Sequence, residues 1–524
     1  MLFRSVLRDH SRLGANDALG YPAFQMTMRS ILSELMERTG VRFGTSGARG
    51  LASALTDQVA YLYTRGFLQY LGATGDLSRA DRRVAVAGDL RPSTGRLIGA
   101  SCRAIQDSGL DPMHCGRIPS PAVALCGLSR RIPAIMVTGS HIPADRNGIK
   151  FNRTGGEILK RDEVGISSQL VEWPAGLFDA QGGFVERLPE LPEVETAAAR
   201  AYVARYLELF EPKALQGLKL GLYQHSAVGR DLLVEILAGL GAQVVPLGRS
   251  DEFVPVDTEA IRPEDIEWAA RWSTEQQFDA IVSTDGDSDR PLISDAQGRW
   301  LRGDVAGILC ARYLEADSVS TPVSCNSAVE LSGWFREVRR TRIGSPYVIE
   351  SMIEAAAAGA RRVVGYEANG GFLVQTDLEM NGRVLPALPT RDAVVLIVAI
   401  LLLARRERKT VAQLVESLPS RHTASDRLKD FPADRSQAIL SRFTTGDEAG
   451  DRRAIELAWG SELGRVNRLD RTDGLRITFE NGEIVHLRPS GNAPEFRCYT
   501  EASSEARAIE LNRWCLARLH GWAT

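Results

Sequence analysis

Apolar runs too short for helices recur along the chain, and each leads into a loop rich in glycine and charge. Val84-Ala85-Val86-Ala87, with Asp89 and Arg91 behind it, is followed some 40–60 residues later by Ala134-Ile135-Met136-Val137 and the loop 138–150. Leu218-Lys219-Leu220-Gly221-Leu222-Tyr223 is followed in the same way by Ala280-Ile281-Val282-Ser283 and the loop 285–290. Pro322-Val323-Ser324-Cys325 is followed by Arg362-Val363-Val364-Gly365 and the loop 366–371. Runs of this length read as buried strands, and strands alternating with helical stretches predict α/β units. Three occurrences of one pattern suggest triplication.

The chain beyond about residue 419 has a different texture. A polar stretch precedes the hairpin Leu475-Arg476-Ile477-Thr478-Phe479 and Ile484-Val485-His486-Leu487, joined across Asn481-Gly482, a strong turn signal. A helix from Ser504 to about His520 follows. The expected fold is therefore three similar α/β domains with mixed sheets and a C-terminal α+β domain. Proline-punctuated joints such as 188–193, the turn 295–298 and Leu418-Pro419-Ser420 place the boundaries. They give an N-terminal extension 1–40, with one helix near Met28 to Glu37, and domains I (41–188), II (189–297), III (298–418) and IV (419–524).

Composition narrows the class. A net charge of −3 over 524 residues does not suggest a nucleic-acid binder, although it leaves room for a local basic pocket. The most apolar segment, Ala393 to Ala404, is 12 residues long and reads as a buried core helix, since a membrane span needs roughly 18 or more. Seven scattered cysteines without a C-x-x-C pair and an N-terminus without a long apolar stretch fit a cytoplasmic protein with reduced thiols.

Four loops carry chemistry. Thr138-Gly-Ser-His-Ile-Pro-Ala-Asp-Arg-Asn-Gly-Ile-Lys150 holds a hydroxyl, an imidazole and an ammonium group at a strand end, where open α/β sheets place ligands. Asp285-Gly-Asp-Ser-Asp-Arg290 sets three carboxylates at alternate positions, which repel unless a hard cation holds them. An EF-hand is excluded, because its required Gly and Glu positions hold Arg290 and Ala296. Tyr366-Glu-Ala-Asn-Gly-Gly371 offers Glu367 and Asn369, which suit a polyhydroxylated ligand, though alone it is an ordinary turn. Arg488-Pro-Ser-Gly-Asn-Ala-Pro-Glu-Phe-Arg497 combines two guanidiniums with a flexible loop able to cradle an anion.

Together with Arg42-Phe-Gly-Thr-Ser-Gly-Ala-Arg-Gly50, these loops resemble the α-D-phosphohexomutase superfamily over about residues 41–524, one motif per successive domain. The resemblance implies four domains around a central active-site cleft. It implies a phosphorylated Ser140 that also ligates Mg²⁺ with Asp285, Asp287 and Asp289. Arg49, His141, Lys150 and Arg290 would surround the transferring phosphoryl group. Glu367 and Asn369 would read the sugar, with Asn369 replacing the family's serine and Gly371 its histidine. Arg488, Ser490, Gly491, Asn492 and Arg497 would hold the distal phosphate, with Asn492 replacing threonine. The implied reaction interconverts hexose 6-phosphate and hexose 1-phosphate through a hexose 1,6-bisphosphate, with mannose first among the sugars and glucose and glucosamine as alternatives. A monomer or weak dimer is expected. A sugar-phosphate binding protein without activity is the rival from another class, and a phosphatase is another rival.

Overall fold

A computed structural model describes residues 27–44, 47–77, 80–187, 190–380, 382–490 and 494–523. The first unit has a mixed sheet whose central strands run in the order Asp111–Gly116, Arg83–Gly88, Ala134–Val137 and Arg146–Arg153. The first three are mutually parallel and the fourth is antiparallel. The second unit repeats that order and polarity with Gln243–Arg249, Lys219–His225, Ala280–Thr284 and Pro291–Ile293. The third repeats it again with Glu337–Thr341, Ser318–Pro322, Val363–Tyr366 and Phe372–Val374. The recurring sequence pattern is thus one sheet topology built three times. In all three the third strand is buried along its whole length, which is why those strands read as unbroken runs rather than alternating ones.

This topology places the chemistry. The chemically charged loops 138–145, 285–290 and 367–371 are the reversals between the third strand and its antiparallel partner. Every one of these reversals bends through a left-handed residue: Ser140 at φ 55°, Ser288 at φ 58° and Gly370 at φ 85°. For the two serines that conformation costs about 1–3 kcal/mol each, and it is retained where the surroundings over-determine it.

Several expected elements sit differently. The third unit's first strand is Ser318–Pro322, not 322–325. Its alternating serines hide it from a search for apolar runs, and they are buried with their hydroxyls bonded, Ser318 to Glu337 and Ser320 to Ser351. The helix expected from Met28 begins only at Leu32. Before it, Thr27–Ile31 pairs antiparallel with Leu170–Pro174, and Leu32 and Leu35 are buried in the core of the first unit. Residues 1–26 of the expected extension lie outside the described residues. The stretch around 430–465 forms helices Ala433–Ser441 and Glu448–Leu463. The second helix buries the sparse apolar set Ile455, Trp459 and Leu463, spaced four apart on one side.

One continuous apolar core joins the three α/β units and takes in the helix Ala393–Glu407, whereas the five-stranded antiparallel sheet of the C-terminal domain has its own core around Trp459. All seven cysteines are free and buried. No helix among the described residues is long and apolar enough to cross a membrane.

Two buried histidines are expected to make the fold acid-sensitive. His225 Nε2 lies 2.7 Å from Thr284 O and His486 Nε2 lies 2.6 Å from Asp473 O, and in both rings Nδ1 has no partner among the described residues. Burial holds both imidazoles down to about 4. Between pH 6.5 and 4 the unfolded chain therefore binds protons that the folded chain refuses, so stability falls as pH falls through that window. Each group is expected to cost about 3 kcal/mol by pH 4. Urea unfolding at pH 7 and pH 5 should show the loss, and His486→Gln, which keeps the donor to Asp473 O, should reduce it.

Candidate active site

Ser140 sits at the tip of the first reversal with no exposed surface. Its backbone is held from both sides: Ser140 N donates to Thr138 Oγ1 at 2.8 Å, and the buried Arg91 donates to Ser140 O at 2.8 Å. Arg91 also donates to the carbonyls of Ile142, Pro143 and Arg146, so one guanidinium gathers the whole loop. Asp89 anchors Arg91 and accepts from the hydroxyls of Thr94 and Thr138. Asp89 and Arg91 stand out in the sequence only as two charges directly after a buried strand, a signal with no role attached to it there.

Ser140 Oγ donates to Asp285 Oδ2 at 2.6 Å, which brings the first reversal against the second. Single ligand oxygens of Asp285, Asp287 and Asp289 lie within 4.8 Å of one another, and all three residues are buried. Asp285 Oδ1 accepts from the backbone N–H groups of Asp289 and Arg290, which closes the loop on itself. Asp287 Oδ1 and Asp289 Oδ1 are buried without a hydrogen-bond partner among the described residues, although Arg290 Nε lies 3.8 Å from the latter. Burial, with the repulsion of Asp287 and Asp289, pushes the Asp285 carboxyl well above its ordinary range. An all-oxygen donor set with orphaned carboxylate oxygens, and with one carboxyl still held well above its ordinary range, fits a hard divalent cation.

Cations close the other sides. Lys150 Nζ donates to Asp287 Oδ2 and Asp289 Oδ2, each at 2.5 Å. It reaches them from the strand Arg146–Arg153, which lies against Ala48–Leu51 with Arg49 opposite Gly148. That close pairing needs glycine: a Cβ at 148 would stand 2.6 Å from Ala48 O and 2.9 Å from Thr138 O. Arg49 Nε and Nη2 are buried and have no partner among the described residues. Burial, then the charges of Arg290 and Arg391, lower the Arg49 guanidinium to about 10. Arg290 Nη1 donates to His141 Nδ1 at 2.9 Å, and that nitrogen is also 3.4 Å from Ser140 Oγ. Burial and the neighbouring Arg290 and Arg49 drive the His141 imidazole far below its usual range, so it is neutral at working pH. The result is a buried hydroxyl with a carboxylate cage on one side and guanidinium donors without hydrogen-bond partners on the other, the kinds of group that phosphate recognition uses.

Models of the phosphoglucomutase/phosphomannomutase family match the chain in sequence: alpha/beta/alpha domain I over residues 40–174, domain II over 200–298, domain III over 302–422 and the C-terminal domain over 440–513. The chain belongs to the phosphoglucomutase/phosphomannomutase family. It is 43% identical to a phosphomannomutase of Salmonella muenchen, over 93% of this chain and 97% of that one. It is 44% identical to a phosphomannomutase of Sinorhizobium fredii, over 92% and 99%. In fold it is similar to a phosphoglucomutase/phosphomannomutase family protein of Burkholderia thailandensis (TM-score 0.66, 21% identity, 91% and 97% covered). It is also similar in fold to the open form of parafusin, a phosphoglucomutase of Paramecium (TM-score 0.68, 15% identity, 92% and 95% covered).

The structure brings Ser140, His141, Lys150, Arg49, Arg290 and the three aspartates into one cluster with the third reversal beside it. Glu367 and Asn369 are both buried, and Asn369 Oδ1 accepts from Gly371 N at 2.9 Å. Arg391 links this reversal to the aspartate loop, donating to Asp289 Oδ2 and to Glu367 Oε2. Reading the sequence misses Arg391, and its only trace there is an Arg-Asp pair at the entry of a 12-residue apolar run. Ser120 is missed as well; its hydroxyl donates to Asp287 Oδ2 at 2.5 Å.

The fourth loop stands apart from this network. Arg488 and Arg497 face each other across neighbouring strands of the C-terminal sheet. Arg488 Nε is 2.7 Å from Asp473 Oδ2, an oxygen that also accepts from Ile343 N of domain III, and Arg497 pairs with Glu495. Ser490 N donates to Glu495 O at 2.9 Å. Gly491 and Asn492 lie outside the described residues.

Proposed function

We propose that the chain interconverts hexose 6-phosphate and hexose 1-phosphate, with mannose as the first sugar, by passing a phosphoryl group through Ser140. The observation that carries this reading is the convergence of the Ser140 hydroxyl, the aspartate cage and the orphaned donors of Arg49 in one buried cluster. Mannose comes first because both 43–44% identical relatives are phosphomannomutases.

In this reading phospho-Ser140 gives its phosphoryl group to the free hydroxyl of the bound sugar phosphate. The serine O–P bond breaks, the sugar O–P bond forms, and the proton of the sugar hydroxyl ends on Ser140 Oγ, which is left as the hydroxyl that donates to Asp285. His141 Nδ1, 3.4 Å from Ser140 Oγ, already accepts from Arg290 Nη1, so the neutral imidazole orients that guanidinium beside the serine. The hexose 1,6-bisphosphate then turns around, and its other phosphate returns to the serine. Charge on the moving group falls to Arg49, Lys150 and Arg290, since phosphoryl transfer is mainly positioning and charge neutralisation. Asp285, Asp287 and Asp289, with a serine phosphate oxygen, would hold Mg²⁺, which offsets phosphate charge when bound.

Phosphorus NMR on purified protein tests the reaction: mannose 1-phosphate with a trace of its 1,6-bisphosphate should convert to the 6-phosphate. The same preparation with glucose and glucosamine 1-phosphates ranks the sugars. Free sugar with inorganic phosphate would make it a phosphatase, and no conversion of any of the three would refute the proposal.

The distal phosphate is assigned to Arg488, Ser490, Gly491, Asn492 and Arg497, and the sugar hydroxyls to Glu367 and Asn369. Arg488→Ala should weaken all hexose phosphates by one to two orders of magnitude without reordering them, from the roughly 1.5–3 kcal/mol of a charge-assisted hydrogen bond. Glu367→Gln should penalise epimers at C3 or C4 unequally and leave the mannose-to-glucose ratio alone, because those sugars differ at C2. Competition binding across the epimers distinguishes the two loops.

A further inference from the structure

We propose that Arg391 is a positioning residue that locks the sugar-recognition loop to the aspartate cage, in space that only a glycine at 371 leaves open. The proposal rests on the mutase reading for the roles of Glu367 and the aspartates, and on geometry for everything else. The Arg391 side chain is buried, with 2% of its surface exposed. Its Nε donates to Asp289 Oδ2 at 3.0 Å, Nη2 lies 3.0 Å from the same oxygen, and Nη1 donates to Glu367 Oε2 at 3.2 Å. One rigid planar fork thus spans a carboxylate of the second reversal and a carboxylate of the third.

The backbone that carries Arg391 is itself fixed on both sides. Thr390 Oγ1 donates to Glu157 of domain I. Asp392 accepts from Tyr202 Oη at 2.7 Å and from Tyr206 Oη, both on the helix Ala197–Leu207, and caps the buried helix Ala393–Glu407 through Val394 N. Residues 390–392 therefore touch all three α/β units within one short segment.

Gly371 completes the argument. A Cβ there would stand 2.3 Å from Arg391 Cδ and 2.6 Å from its Cγ, closer than any real contact. Gly371 does not have a positive φ among the described residues, so the constraint is space and not backbone conformation. A side chain at 371, such as the histidine of the family pattern, and the observed path of Arg391 exclude each other.

The test uses the full chain and three kinds of measurement. Arg391→Met should raise KM for mannose 1-phosphate by about ten-fold or more and lower kcat, because Glu367 loses its fixed partner. The same variant should bind Mg²⁺ several-fold more tightly by calorimetry, because a cation 3.0 Å from Asp289 has been removed. Opposite signs for sugar and metal are the signature of positioning; a variant that is merely loosened weakens both. Arg391→Lys should recover part of kcat. In a double-mutant cycle read by thermal unfolding, Gly371→Ala should destabilise the parent and leave the Arg391→Ala background nearly unchanged.

Parent-like KM and Mg²⁺ affinity in Arg391→Met, parallel weakening of both, or additive effects in the cycle would overturn the proposal. If the parent converts no hexose phosphate, the mutase reading fails by itself. The Mg²⁺ titration and the double-mutant cycle still decide whether Arg391 and Gly371 form the lock.

Discussion

Ser140→Ala is expected to lose turnover by at least about 10³-fold while keeping its fold and its affinity for hexose phosphate, because it removes the atom that carries the phosphoryl group. The fold should survive because the Ser140 loop is shaped by its backbone, through Arg91 and Thr138, and not by the hydroxyl. Losing the hydrogen bond to Asp285 should cost about 1–3 kcal/mol, since Asp285 Oδ2 is a buried acceptor that loses its donor. Intact mass then separates the outcomes: the parent should carry one phosphoryl group and the variant none. Parent-like turnover in the variant would remove Ser140 from the mechanism. A parent that binds sugar phosphates but never acquires the phosphoryl mass would favour the binding-protein alternative.

The parts of this site that can be read in the sequence are those where one short segment carries both the strand and the chemistry. Ala134–Val137 and Ala280–Thr284 are apolar along their whole length, so their ends mark the Ser140 and Asp285 loops without any structure. The repeat was visible for the same reason, although strand 318–322 was displaced by four residues because its serines are buried as hydrogen-bonded pairs. Arg91 and Arg391 escaped because their meaning lies in distant partners. Arg91 acts on carbonyls some 50 residues on, and Arg391 on an aspartate 102 residues back. Neither residue type nor local periodicity encodes such a pairing, and an arginine beside an aspartate at a helix entry reads as ordinary surface charge. The glycine at 371 is a related case. A change in a motif can be seen in the sequence, but the side chain that fills the vacated space comes from another element.

Removing divalent cation is expected to abolish activity, with Mg²⁺ restoring it and Zn²⁺ restoring little, because an all-carboxylate oxygen cage is poorly matched to tetrahedral N/S preferences. The same cage should show a conflict between stability and function. Without a cation, burial and two neighbouring carboxylates raise the Asp285 carboxyl well above its ordinary value. A carboxyl whose folded value is raised binds more protons folded than unfolded, so its contribution is intact below its ordinary pKa and is lost as pH rises through the folded value. At neutral pH the cation-free protein therefore holds Asp285 at a cost. Asp285→Asn removes that cost while its Oδ1 can still accept from Asp289 N and Arg290 N, the bonds that close the loop. The variant should be inactive at any Mg²⁺ concentration, yet in chelator at neutral pH it should melt above the parent, and Mg²⁺ should raise its melting temperature less than the parent's. Thermal unfolding of both proteins with and without Mg²⁺ makes the comparison. A variant that melts below the parent in chelator, or a chelated parent that remains fully active, would mean that the three aspartates are balanced by Lys150, Arg290 and Arg391 alone and that the cage holds no catalytic cation.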